Sequence, residues 1–439
     1  MIFLSFTTFL AVVLGCVITG QNLLWALWFG ITLFAVIARK RGHSFKAICA
    51  MAWKKGRTAL VVIPVLLIIG TVTGLWRASG TIACFLYHGL RLISPTWFIL
   101  MAFLLSAAMS FLLGSAFGVS STAGVVLITI ARSGGVDLSV AAGAIISGAF
   151  FGDRCSPMAS GAALVAACTR SNLYTNIREM LKTGVLPTLL TVVFYAFLSL
   201  RHPITAVDPE VLSSLSTGFH LSLWTLLPAV LMLTLPLFKV PIKLAMAVSA
   251  LLALILSVTL QGMPLTEALR CALLGFSPEG PLAAILSGGG IISMVKASCI
   301  VMSTSLLAGI LDGLDALSAF TTPLNRFAEA CGTFPAMVLT STLVSCCFCN
   351  QSVAIVMSEQ LMASRYRAEG LSDTTLAIDI ENSAVMIAGL VPWSIAVAIP
   401  LSMMNAPSSS ILFAALLYFT PLCYLFTRRF HLAAQQERS

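Results

Sequence analysis

Apolar runs long enough to cross a lipid bilayer recur from one end of this sequence to the other. They cover residues 2–19, 22–38, 58–76, 96–113, 183–200, 221–236, 240–260, 296–312, 333–349 and 408–427, with a shorter piece at 281–295. Two further runs, 140–168 and 374–405, are interrupted by proline and polar residues. A membrane-spanning helix needs about 20 apolar residues, so the chain has room for about 12 crossings and almost no water-soluble domain. Composition agrees: 59% of the 439 residues are hydrophobic and only 9% are charged, whereas a soluble domain carries roughly 25% charged residues. The fold class expected is therefore an all-α polytopic membrane protein whose direct partner is the lipid bilayer. A helix is the spanning element that satisfies its backbone within one segment.

The net charge of +9 does not point to nucleic acid, because the basic residues cluster in short stretches between apolar runs. The densest stretch, Arg39, Lys40, Arg41, Lys46, Lys54, Lys55 and Arg57, reads as a cytoplasmic loop by the positive-inside rule. Both termini are then expected in the cytoplasm, with Arg428 and Arg429 closing the last run. The first run, Ile2 to Thr19, has no Lys or Arg before it and reads as a transmembrane helix rather than a cleaved signal. The 12 cysteines lack the paired spacing of a disulfide or zinc framework. They read as small packing residues, the Cys346-Cys347-Phe348-Cys349 cluster included. No His/Asp/Ser set and no H-E-x-x-H motif supports an enzyme, and no cofactor is expected. Nothing resembles a channel filter built from repeated carbonyl rings.

Shifted against itself by 235 residues, the sequence pairs Gly74 with Gly309, Ser106 with Ser341, Ser110 with Ser345, Arg132 with Arg367 and Gly135 with Gly370. The same shift pairs Ala142 with Ala377, Ile145 with Ile380, Ala149 with Ala384 and Pro157 with Pro392. Each copy has a long apolar helix, a polar break, a short helix and then a proline-interrupted helix. The chain accordingly divides into a first transporter repeat at 1–200, a connector at 201–236 and a second repeat at 237–439. Internal duplication of this kind marks secondary transporters, whose sites lie between the repeats near the middle of the membrane.

The breaks hold the polar chemistry. The first runs from Gly114 to Gly124 and brings Ser115, Ser120, Ser121 and Thr122; its counterpart brings Asn350, Gln351 and Ser352. Irregular backbone at membrane depth needs protein or a wet cavity around it, and its hydroxyls and carbonyls are hard-oxygen ligands suited to Na+ or to a polar solute. In the first interrupted run Asp153, Arg154 and Ser156 precede Pro157, which has no N–H to offer the Asp153 carbonyl; Arg154 is a candidate partner for a carboxylate. The second interrupted run has Glu381, Asn382 and Ser383, then Pro392 and Trp393. Each repeat thus supplies one acid, Asp153 and Glu381, as candidate proton- and Na+-coupling groups, since a proton and a cation compete for a carboxylate in a dry site. Asp379 reads as an interface residue, Asp312 and Asp315 as helix-end residues, and Glu359 as a weaker candidate.

The stretch Ser147 to Pro157 (SGAFFGDRCSP), the run Leu390 to Ser394 (LVPWS), the Ser/Gly break and the repeat together resemble the NhaC-type Na+/H+ antiporters of bacterial membranes. That resemblance implies broken helices and re-entrant segments in the inner membrane, with Asp153 and Glu381 at acidic motif positions and Na+ (or Li+) and H+ as transported ions. A homodimer is compatible with it. The wider group includes exchangers of organic acids, so a proton- or Na+-coupled exchanger of small organic anions or amino acids is the alternative. The chain departs from the pattern twice. Met158-Ala159-Ser160-Gly161-Ala162-Ala163 stands where the family has Ser-Asp-Thr-Thr-Asn, and Asn382 stands where it has Asp. The site is two carboxylates poorer as a result.

Overall fold

The computed structural model describes residues 2–19, 21–92, 95–203, 209–238, 240–279, 282–315 and 318–436. Residues 204–208 of the expected connector and residue 281 of the short apolar piece lie outside these. The described residues are helical almost throughout, with a single isolated β-bridge between Phe276 and Gly288. Four uninterrupted helices are long and apolar enough to span a bilayer: Pro95–Leu113, Ala116–Ser133, Leu173–Arg201 and Val295–Gly313. The pair Ile63–Ala78 and Thr81–His88 adds a fifth when taken as one span bent by 63°. Shorter apolar helices include Lys243–Thr259, Thr333–Phe348 and Ile395–Met404. The piece at 281–295 holds only two four-residue helices, Ala283–Leu286 and Gly290–Ser293.

The basic stretch expected as a loop is mostly helix. Only residues 41–44 separate Leu23–Lys40 from Phe45–Ala78, and Ser44 caps the second helix by accepting from the Ala47 N–H at 3.2 Å. Lys46, Lys54, Lys55 and Arg57 therefore lie on the first turns of a 34-residue helix. At 1.5 Å per residue it is about 50 Å long and outruns a hydrocarbon core of about 30 Å. Lysine and arginine are good helix formers, so charge density alone was no sign of a loop.

The offset of 235 that relates the sequences also relates the ends of the helices. Phe98–Leu113 and Thr333–Phe348 start and stop at that spacing, as do Ser160–Thr169 and Ile395–Met404. The helix beginning at Leu138 has its counterpart at Asp373, and the ends at Ala78 and Gly313 match. Left-handed backbone recurs at the same spacing, in Gly80 and Asp315, Gly114 and Cys349, Gly135 and Gly370, and Arg170 and Asn405. Of these, Asp315, Cys349, Arg170 and Asn405 adopt a conformation that costs a side chain energy.

Two discontinuous helices form the centre. The first comprises Leu138–Cys155 and Ser160–Thr169; the second runs from Asp373 through a π-helical turn at Glu381–Val385 and resumes at Ile395–Met404. They run in opposite directions. Ser139, at the start of the first, bonds Ser409, just past the end of the second, at 2.9 Å. At the other end Thr169 and Arg170 share a cavity wall with Ser372 and Asp373.

Close approach is bought by small residues. Gly148 and Gly152, one turn apart, meet the helix Phe98–Leu113: a Cβ at Gly148 would stand 2.4 Å from the Phe103 carbonyl oxygen, and one at Gly152 2.0 Å from the carbonyl carbon of Ser110. Ser110 donates across this seam to the Ala149 carbonyl. Without a hydrophobic driving force between helices in lipid, such backbone proximity is the main source of packing energy. In the second repeat serines take over, Ser341 donating to Ser383 at 3.0 Å. Gly152→Val should cost about 3 kcal/mol or more through overpacking and collapse the heat-stable fraction of detergent-purified protein. Gly161→Ala, where the nearest outside atom would be 3.7 Å away, should leave that fraction unchanged or slightly raised.

Candidate functional site

The two breaks converge on one carboxylate. Gly114 ends the helix Phe98–Leu113 in left-handed backbone, and Ser115 starts the next by accepting from the Gly118 N–H at 3.2 Å. The chain restarts at Ala116, whose amide faces the Asp153 carboxylate. In the second repeat Cys349 turns the chain in the same way, and Asn350 caps the new helix by accepting from the N–H groups of Ser352 and Val353 at 2.9 and 3.4 Å. That puts Gln351 on the first turn. Its Nε2 donates to Asp153 Oδ2 at 3.1 Å and to the Val385 carbonyl at 3.2 Å. Asp153, in the last turn of its helix, is therefore held by donors from both repeats. Sequence reasoning placed Gln351 in the candidate set for its polarity; its role as the bridge comes from the fold.

Arg154 does not pair with the neighbouring Asp153. Successive helical residues face different ways, and the guanidinium turns to the second repeat. Its Nη2 donates to Asn382 Oδ1 at 2.5 Å, to Thr183 Oγ1 at 2.9 Å and to the Met180 carbonyl at 3.1 Å. Three acceptors thus occupy that nitrogen, and the expected carboxylate partner is not needed there.

Glu381 opens the π-helical turn and is fully buried, as are Asn382 and Ser383. A π-helical turn adds one residue per turn and recurs at functional sites. Neither carboxylate oxygen of Glu381 has a hydrogen-bond partner among the described residues, and the same holds for Asn382 Nδ2 and Arg154 Nε. The charges that act on Glu381 are those of Arg154 and Asp153. Buried polar groups are rarely left without partners, so this concentration of free donors and acceptors is where an incoming proton, cation or water would be held. Asp153, Glu381 and Arg154 together amount to one net negative charge when both acids are ionised.

Other expected ligands have different work. Ser120 donates to the Ala116 carbonyl at 2.8 Å, Ser121 to Gly118 at 3.0 Å and Thr122 to Gly118 at 2.7 Å. Their hydroxyl hydrogens are bonded inside their own helix, which widens into a π turn at Ser120–Gly124, and the hydroxyl oxygens keep their lone pairs. Ser156 closes the helix before Pro157 and accepts from the Met158 N–H at 3.1 Å; the helix ends at Cys155, so Pro157 lies beyond it rather than inside. Ser352 is exposed. Ser383 donates to the Asp379 carbonyl at 2.6 Å. Trp393 donates to the Cys346 carbonyl at 2.9 Å and straps the second break to the cysteine cluster.

Asp379, read from sequence as an interface residue, is fully buried. It accepts from the Tyr366 hydroxyl at 2.5 Å and from Arg428 Nε at 2.9 Å, which ties the last helix to the second discontinuous helix. Its partner lies 49 residues away, beyond the reach of local pattern. Asp312, at the end of Val295–Gly313, faces Lys54 and Lys55 at 4.0 Å. Removing one partner of a buried ion pair leaves an uncompensated charge, so Asp379→Asn should destabilise the protein by about 3 kcal/mol, read as a lowered melting temperature in detergent.

The profile of the Na+/H+ antiporter family matches residues 148–427, a span that contains Asp153, Arg154, Gln351 and Glu381. Similar proteins include the malate-2H+/Na+-lactate antiporter of Bacillus subtilis, 27% identical over 89% of this chain and 83% of that protein. The Na+/H+ antiporter NhaC of Alkalihalophilus pseudofirmus is 27% identical over 81% of this chain and 79% of its own length. The arginine/ornithine antiporter ArcD of Halobacterium salinarum is 25% identical over 88% and 82% respectively. With the match covering most of the chain and the breaks of both discontinuous helices, the protein belongs to the Na+/H+ antiporter family.

Proposed function

We propose that this protein exchanges Na+ or Li+ for protons at a site shared by its two repeats, with Asp153 and Glu381 as the coupling groups. The observation that carries the reading is the meeting of both acids and Arg154 in one buried cluster with a single net negative charge. One proton or one monovalent cation neutralises it, and both together do not fit the charge. Competition of that kind is what antiport requires: the carrier crosses loaded with one ion or the other. Asp153, with its Gln351 donor, fixes the cation end. Glu381, with no donor among the described residues, satisfies its oxygens by taking up a proton or sharing the cation. Asn382 and Gln351 add neutral oxygens.

In this reading residues 1–200 and 237–439 act as two units of inverted orientation, as the opposed discontinuous helices support, and rock about the shared site. The membrane is the bacterial inner membrane, with both ends of the chain in the cytoplasm and a homodimer as the working assembly. Arg154 serves as a fixed countercharge held by Asn382 and Thr183.

Proteoliposomes carrying a pH gradient test this. Addition of Na+ or Li+ should dissipate the gradient for the native protein, and Glu381→Gln should reduce the response to that of empty liposomes. An unchanged rate in both Glu381→Gln and Asp153→Asn would overturn the assignment. Ser120→Ala and Thr122→Val, whose hydroxyl hydrogens are bonded within their helix, should stay within about twofold, the scale of an uninvolved substitution. Gln351→Leu should raise the Na+ concentration giving half-maximal exchange, since the bond to Asp153 is lost.

A further inference from the structure

A cavity of about 740 Å³ lies where the first discontinuous helix begins and the second ends. Arg77, Arg132 and Lys296 line it, and no acidic residue does among the described residues. Arg77 is 94% buried at the far end of the long helix Phe45–Ala78. Its Nη1 donates to the Thr73 carbonyl at 3.1 Å, one turn back, and its Nε has no partner among the described residues. Arg132 reaches only the Asn405 carbonyl, at 3.4 Å. A buried arginine is costly without a countercharge. The like charge of Arg132, in fact, is the one that acts on Arg77.

The opposite end of the same helix pair gives a direct contrast. By the repeat offset Arg132 corresponds to Arg367 and Asn405 to Arg170, and these two line a cavity of about 380 Å³. There Glu359 and Asp373 share the lining with the two arginines, so the charges balance within the chain. The larger cavity has the related architecture with its negative charge missing.

We propose that the missing charge is supplied by a small organic dicarboxylate bound between Arg77 and Arg132, with Lys296 at the rim. The volume is many times that of an inorganic ion. The Ser402 hydroxyl stands beside apolar Met294 and Leu401 in the lining, which suits a carbon skeleton with polar ends, while Thr73 and Ser293 donate within their own helices. Planar guanidinium groups match carboxylates through paired hydrogen bonds. Pro392, in the break that follows Glu381, also lines the cavity, which puts the anion next to the second discontinuous helix. The site does not depend on the cation-exchange reading, because none of its three cations belongs to the acidic cluster.

Calorimetric titration of the full-length protein in detergent, with succinate in sodium-free choline buffer, tests the site without any transport step. Succinate should bind, and Arg77→Gln should weaken it by about tenfold or more, the worth of a charged hydrogen bond. Lys296→Gln, at an exposed rim position, should weaken it by a smaller factor in a protein whose fold is not at risk. Absence of succinate binding to the native protein, or equal affinity in both variants, would overturn the proposal. So would equal displacement of succinate by inorganic phosphate or chloride, which would mark a general anion site. Competition by phosphatidylglycerol would overturn it as well, by assigning the cations to a lipid headgroup.

Discussion

The first discontinuous helix draws part of its polar satisfaction from the other repeat. Asp153 is held by Gln351 and Arg154 by Asn382, and both bonds cross from one repeat to the other. A charge inside a bilayer is costly, and half-satisfied polar networks are worse than none. The two units therefore cannot separate without stripping an acid and a base of one partner each. That constraint fixes how closely the breaks approach, and the approach is made sterically feasible by Gly148 and Gly152 against the Phe98–Leu113 helix. Glu381 is the acid that this web leaves without a donor among the described residues, and on the proposed reading that exception gives the cluster something to exchange.

Much of this could be read from residues alone. The repeat offset was visible in a handful of identities, among them Gly135 and Gly370, which both take left-handed backbone after a helix end. The interrupted runs were visible because Pro157 and Pro392 cannot continue a helix. Asp153 and Glu381 stood out as acids in apolar surroundings. What escaped was direction. Sequence adjacency made Arg154 look like a partner for Asp153, yet neighbouring helical residues diverge, and its partner Asn382 lies 228 positions away. The hydroxyls of Ser120, Ser121 and Thr122 stood out by type, but that their hydrogens go to carbonyls one turn back is visible only in the structure. Asp379 looked peripheral because Arg428 is remote in sequence, and Arg77 attracted no notice because its significance is the acid that is absent around it.

The two departures from the family pattern acquire a physical meaning in this geometry. Asn382 sits against Arg154 where the family has Asp, so a neutral oxygen receives the guanidinium at 2.5 Å. The arginine's charge is thus left to act on Glu381 and Asp153. An aspartate there would have paired with it and given the cluster a second net negative charge. The Ser-Asp-Thr-Thr-Asn run has become a small, apolar start to the helix Ser160–Thr169, which further thins the oxygen set. On the proposed reading, both changes favour one monovalent ion over several.

The central claim is that a proton and Na+ compete for Glu381. Difference infrared spectroscopy of the reconstituted protein, recorded with and without Na+ at a pH where the carboxyl carries its proton, reads this directly. The account predicts that Na+ removes a protonated-carboxyl band and that Glu381→Gln lacks both the band and the change. A band that persists in the presence of saturating Na+, or one that disappears equally in Glu381→Gln, would contradict it.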